Sequence, residues 1–271
     1  MRQVANLALI AILSIAATNC EQAGANEPET RQPAAEGRAF YQLKTYTFLT
    51  EDEVKATDQY LEAAFLPGLK RLGITTVGVF KLRTNETDTI QKTFVLIPFT
   101  SMEQFLTLEE KLAQDEEYLT AGQDYLSASH EEPPYQRIES TLLKAFTDMP
   151  KMQTPKLEGP RSQRVYELRS YESPTEQYYR NKVDMFNAGG EVALFDKLGF
   201  NAVFYGEVLS GSRMPNLMYM TTFSDMESRK AHWETFVNSP EWKALSAMPK
   251  YQNNVSHADI MLLYPTEYSD Y

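Results

Sequence analysis

One cysteine, three histidines and two tryptophans are all that this chain of 271 residues carries of those types. A single cysteine cannot close an internal disulfide. Three scattered histidines without a second cysteine make no zinc pattern, so no structural metal is expected. Positive charge is also short: 26 Lys and Arg stand against 37 Asp and Glu, a net charge of −11. That balance disfavours nucleic acid or anionic lipid headgroups as the main partner. The chain has no G-x-S-x-G elbow, no P-loop and no dinucleotide-type glycine pattern, which removes hydrolase and nucleotide-dependent classes. The apolar run Leu7 to Ala17 is too short to span a bilayer.

That run has the length of a signal-peptide core, follows Arg2 and precedes Cys20. Residues 1–20 therefore read as an export segment. The stretch Ala17-Thr18-Asn19-Cys20 resembles a bacterial lipobox, in which Cys20 would be acylated, making a lipid anchor the only membrane contact. Ala23-Gly24-Ala25 offers a competing cleavage that would release a soluble periplasmic protein. Residues 21–37, rich in Ala, Glu, Pro and Gly, read as a flexible tether. A second join, residues 149–160, carries three prolines and one glycine in MPKMQTPKLEGP.

On either side of that join the chain repeats itself. Tyr41, Leu43 and Tyr46 match Tyr166, Leu168 and Tyr171; Lys70, Leu72 and Gly73 match Lys197, Leu198 and Gly199; Phe99 to Glu103 match Phe223 to Glu227. A period of about 125 residues suits a duplicated globular domain rather than a solenoid unit. Residues 38–148 and 161–271 are read as the two copies. Each opens with an alternating strand (Ala39 to Phe48; Arg164 to Tyr171) and a long helix. Thr50 is placed to cap the first helix, which Pro67 should kink; Gly189-Gly190 interrupts the second. A hairpin turning at Asn85 or Gly211, a helix beginning at Ser101 or Asp225, and a last strand (Gln136 to Phe146; Val255 to Leu263) complete each copy. The order β-α-β-β-α-β is ferredoxin-like. Such a sheet leaves one face bare, and the other copy is its natural cover. The expected fold is α+β: two tandem ferredoxin-like domains pairing face to face as a pseudo-dimeric barrel of eight strands.

The segments YLEAAFLPGLKRLGITTVGVFKL, VYELRSYESP and YMTTFSDMESRKAHWETFVNSPEW resemble the NIPSNAP family. The resemblance covers about residues 38 to 271. It implies the dimeric α+β barrel superfamily, which also holds cofactor-free monooxygenases, haem-degrading monooxygenases and chlorite-dismutase-like proteins. No activity follows from it, and haem enters only by that analogy.

Strand alternation divides the second repeat's opening strand into Tyr166, Leu168 and Ser170 on one face and Glu167, Arg169 and Tyr171 on the other. Burying an acid, a guanidinium and a phenol under helices would be costly, so the second set is expected to line the barrel interior. The first repeat offers Gln42, Lys44 and Tyr46 there, so the second half is chemically richer. Tyr205, Glu207, His257 and Asp259 are further interior candidates, with His257 aimed at the barrel centre as a base or haem ligand. His130 reads as a loop residue and His232 as a helix-face residue beside a core Trp233. Two functions fit: a non-catalytic envelope protein binding a small apolar or haem-like molecule or a protein partner, or a cofactor-independent monooxygenase working with Arg169 and an interior Tyr or His. The monooxygenase needs an open interior beside Arg169 and His257.

Overall fold

The structure, a computed structural model, describes residues 37–83 and 90–271. The export segment with Cys20, the tether up to residue 36 and the turn residue Asn85 lie outside the described residues. Among the described residues no helix is long and apolar enough to cross a membrane.

The first repeat begins with β1 (Phe40–Phe48) and α1 (Glu51–Tyr60). Thr50 and Glu53 form a capping box, each side chain accepting from the other's backbone amide, which satisfies two amides that the helix start leaves open. The helix does not stop at Pro67. It widens into a π turn (Leu61–Phe65) and resumes as α2 (Leu66–Arg71). Leu66 bonds back five residues to Leu61, so the π turn accommodates a proline ring that would clash in a regular helix. There follow β2 (Gly78–Leu82), β3 (Gln91–Phe99), the short helices α3 (Met102–Leu106), α4 (Leu108–Leu112), α5 (Glu116–Ala121) and α6 (Gln123–Leu126), and β4 (Arg137–Ala145).

The second repeat runs β5 (Val165–Glu172), α7 (Glu176–Phe186), α8 (Glu191–Lys197), β6 (Phe204–Ser210), β7 (Asn216–Phe223), α9 (Met226–Asn238), α10 (Pro240–Ser246) and β8 (His257–Pro265). Gly190 separates α7 from α8 at φ +86°, a left-handed conformation that glycine adopts without penalty. The last strand starts two residues later than its apolar pattern suggests. That shift puts His257 at its first position.

The strands close into one barrel in the order β1-β3-β2-β8-β5-β7-β6-β4. Each repeat contributes four strands in the ferredoxin-like order. The halves are sewn together at two antiparallel seams, β2 on β8 (Phe80 opposite Pro265) and β4 on β6 (Leu143 opposite Val208). Among the described residues no sheet edge is left open.

Three apolar clusters are formed by the described residues. One draws on all eight strands, including Tyr41, Phe80, Leu96, Tyr166, Phe204, Met220 and Leu263, and is therefore the barrel interior. It is packed with large side chains: Tyr41, Phe80 and Tyr166 are essentially without solvent exposure, and Tyr271 closes on Phe80 at 5.9 Å. The other two clusters lie between each half's sheet and its own helices, around Tyr46, Phe65 and Leu112 in the first and Phe186, Phe195 and Phe236 in the second.

Candidate functional site

Tyr166 and Leu168 belong to the barrel interior, so alternation along β5 sends Glu167, Arg169 and Tyr171 to the opposite face, beneath the helices. This reverses the placement expected from the sequence. The helices bring their own compensation. Glu167, fully buried, receives Arg169 Nε at 2.7 Å and Arg229 at 3.0 Å on Oε1, and Arg229 Nε at 2.7 Å and Trp233 Nε1 at 2.8 Å on Oε2. Two donors per oxygen offset the desolvation that argued against this side. Arg229 and Trp233 stand four and eight residues past the Asp225 cap of α9, on the one helix face that meets the sheet.

From Arg169 a polar chain runs outward. Its Nη1 donates to the Tyr171 hydroxyl at 2.7 Å, which lies 2.9 Å from the Tyr219 hydroxyl, while its guanidinium covers the Trp233 ring at 3.7 Å. Burial alone would pull Arg169 down, but the phenols of Tyr219 and Tyr171 and the Glu167 carboxylate more than offset it and hold Arg169 above its usual range. Tyr219 is pushed well up, chiefly by burial and then by Tyr171, so it stays a neutral phenol.

Beside this chain lies a second buried ion pair, Lys182 Nζ to Glu191 Oε2 at 2.8 Å. It joins α7 to α8 across the Gly190 break. Arg169, Tyr171, Lys182, Glu191, Tyr219, Arg229, Trp233, Phe236, Val237 and Trp242 line a cavity of about 400 Å³, within the range of small-molecule sites. Three cations face two carboxylates, Glu191 and the buried Glu167, which leaves one surplus positive charge. Both of the chain's tryptophans are in the wall.

The first repeat carries other residues at the matching positions. Its strand register places Lys44 opposite Val95 where the second places Arg169 opposite Tyr219. Seven residues past the helix cap, Thr57 stands for Lys182; four past the next cap, Phe105 stands for Arg229. Rings gather nearby, with Tyr60 stacked on Tyr125 at 3.8 Å and its hydroxyl 2.8 Å from that of Tyr118, while Lys44 pairs with Glu109 at 3.4 Å.

The remaining sequence candidates disperse. Tyr205 is buried in the second helix-side cluster, stacked on Tyr219 at 5.6 Å, and not in the barrel interior. Glu207 shares its face and pairs with Arg38 and the Tyr179 hydroxyl. His257 and Asp259 are on the barrel side, as expected, but at its rim: the His257 side chain is 57% exposed, 3.1 Å from Asp259, which in turn pairs with Arg213. Neither reaches the centre, because β8 only begins at His257 and larger side chains fill the space beyond. Arg169 and His257 are therefore on opposite faces of the sheet. His232 packs edge-on against Phe200 at 5.8 Å and bonds to the Ser228 carbonyl at 2.7 Å.

The cavity does not suit haem: no His, Cys or Met lines it, and its two phenols are committed to Arg169 and to each other. Among the described residues no group of three or more His, Cys, Asp or Glu is placed to hold a metal ion. Larger clefts lie elsewhere among the described residues. One, of about 630 Å³ beside α1, is bordered by Asp52, Glu53, Asp124, Glu131 and Glu132 with no basic residue; another, of about 510 Å³, is lined by Ile74, Phe99, Met152 and Tyr271; a third, of about 470 Å³, sets Arg71 and Lys111 against Asp115, Glu116 and Glu117 with no aromatic ring. None of these three combines opposed charges with aromatic walls.

Residues 158–270 match the NIPSNAP family model. The second repeat is a NIPSNAP domain. This NIPSNAP domain supplies every residue that lines the cavity. No curated protein matches the chain significantly in sequence. Solved structures share its architecture along most of its length. A candidate monooxygenase from Fusobacterium nucleatum subsp. nucleatum is 10% identical at a TM-score of 0.53, covering 84% of this chain and 93% of its own. Another from Lactobacillus acidophilus is 9% identical at 0.54, covering 84% and 94%. An anthrone oxidase-like protein is 15% identical at 0.50, covering 86% and 94%. At these identities the likeness is one of fold. The NIPSNAP domain and the first repeat together form, in one chain, a closed α+β barrel of eight strands.

Proposed function

We propose that the protein binds a small aromatic or amphipathic molecule carrying one negative charge, in the cavity between sheet and helices of the NIPSNAP domain. The observation that carries this reading is the surplus cation among aromatic walls in the second repeat, where the first has Thr57 and Phe105 in place of Lys182 and Arg229. Arg169 and Arg229 share the single Glu167 carboxylate with 12% and 21% of their side chains exposed, so a ligand that brings a second anion gains both ion pairing and ring stacking. The packed centre of the barrel, which leaves a pocket of only about 120 Å³ at the mouth beside Ser170 and Asp259, supports this site over the lumen. The run Leu7 to Ala17 with Cys20 after it supports an exported, lipid-anchored form; intact mass after detergent extraction distinguishes an acylated Cys20 from cleavage near Ala25.

Because both tryptophans line the cavity, intrinsic fluorescence reports on it directly. Titration with aromatic carboxylates and their neutral amides is the test. Saturable quenching by the carboxylates, about tenfold tighter than by the amides, is expected from one buried charge contact. Equal affinities, or no saturation by either, would overturn the proposal and favour a protein-binding role.

A further inference from the structure

We propose that Lys182 is a carbonyl-condensing nucleophile, taking an aromatic aldehyde or ketone into a reversible imine with Glu191 as its proton partner. The inference rests on the cavity being a ligand site. Lys182 is the buried lysine among the described residues, and its Nζ lies 2.8 Å from Glu191 Oε2 and 4.6 Å from the Phe186 ring centre, with Trp242 at 5.8 Å and Tyr171 at 5.9 Å. A lysine placed only for packing would be enclosed on all sides. This one borders open space of ligand size.

An ammonium has no lone pair, so condensation needs a proton acceptor in contact, and Glu191 supplies it. Passing the proton from Nζ to the Glu191 carboxylate leaves the free amine. It attacks the carbonyl carbon, a C–N bond forms, and one N–H proton passes to the carbonyl oxygen to give a carbinolamine. Glu191 then delivers its proton to that oxygen, which leaves as water while the C=N bond forms. The ammonium and carbonyl become a protonated imine and water opposite the restored Glu191 carboxylate, with no oxidant or reductant involved. Aromatic walls suit a ring on the carbonyl, and the surplus positive charge suits a carboxylate on that ring. At the equivalent position the first repeat has Thr57, whose hydroxyl donates to the Pro134 carbonyl at 2.8 Å, so the lysine is particular to the second half.

The test incubates the full-length protein with 4-formylbenzoate and sodium cyanoborohydride, which reduces an imine to a stable amine, and maps the adduct by peptide mass spectrometry. The expected result is saturable labelling at Lys182, ahead of the exposed Lys197 and Lys230 and suppressed by 4-(hydroxymethyl)benzoate. Lys182→Arg, which keeps the ion pair but cannot condense, loses the adduct while its circular dichroism is unchanged. Glu191→Gln slows labelling by about a hundredfold, the scale of general acid–base assistance. Labelling confined to exposed lysines on the wild-type protein overturns the proposal, whatever the variants do. Quenching of tryptophan fluorescence by 4-(hydroxymethyl)benzoate separates the two ideas: quenching without an adduct sinks the condensation alone, and neither signal sinks the ligand site as well.

Discussion

The guanidinium of Arg169 lies 3.7 Å above the ring of Trp233, while the indole N–H of that ring donates at 2.8 Å to Glu167, the carboxylate that Arg169 also grips. Strand and helix thus hold one another through three side chains. Trp233→Phe keeps a ring under the arginine but removes a donor from a buried carboxylate. It should cost about 2 kcal/mol. Urea unfolding reads this as a lower midpoint at unchanged slope; no change in midpoint would show the bond to be idle.

Glu167→Gln goes further, leaving two arginines without their shared counter-charge. A loss of about 3 kcal/mol is expected. Gln42→Ala, at the same register in the first repeat where the amide donates to Ser140 at 2.8 Å, should cost about 1 kcal/mol. Comparable losses at the two positions would deny the difference between the halves.

Arg169→Lys retains the charge but not the fork that reaches Glu167 and Tyr171 together. Carboxylate binding by tryptophan quenching should weaken about tenfold, equivalent to about 1.4 kcal/mol. Lys44→Arg in the first repeat should leave it unchanged.

The break between α7 and α8 separates two kinds of glycine cost. A Cβ on Gly190 meets nothing within 4 Å, so alanine there suffers only from its φ of +86°, about 1 kcal/mol. A Cβ on Gly189 would sit 2.5 Å from the Met185 carbonyl oxygen, so the backbone must shift. Calorimetry should give Gly189→Ala the larger drop in Tm; the reverse order would contradict the packing.

Acid should weaken the first helix cap. Burial works to raise Glu53, but the amides of Leu49 and Thr50 and the side chain of Gln136 outweigh it and hold the carboxyl below the ordinary value. A depressed folded-state value means stability that is present above about pH 4.3, the usual glutamate value, and is lost as pH falls through the folded value. Wild type should exceed Glu53→Gln in stability at neutral pH, with the gap closing below pH 4. A gap that persists in acid would assign the loss to shape rather than charge.

The sequence carried the repeat, the helix caps at Thr50, Ser101 and Asp225, and the barrel, because these rest on local periodicity and on the match between halves. It also singled out Glu167, Arg169 and Tyr171. It sent them to the wrong face because the price of burial was reckoned from β5 alone, while their counter-charges lie about sixty residues away on α9. Lys182, Glu191, Arg229 and Tyr219 escaped notice for the same reason. One signal was available: wherever a long polar residue in one repeat faces Thr, Phe or Val in the other, as Lys182 does Thr57 and Arg229 does Phe105, the copies have taken separate courses.

The two seams that join Phe80 to Pro265 and Leu143 to Val208 lie within a single polypeptide. In a homodimer every inherited change appears twice, and a substitution that opens a cavity in one half opens it in both. Tandem duplication lifts that obligation. One half can drift towards a dense, durable buttress of tyrosines while its sibling accumulates charges that no isolated sheet would tolerate, and the lineage can test new chemistry without wagering the scaffold.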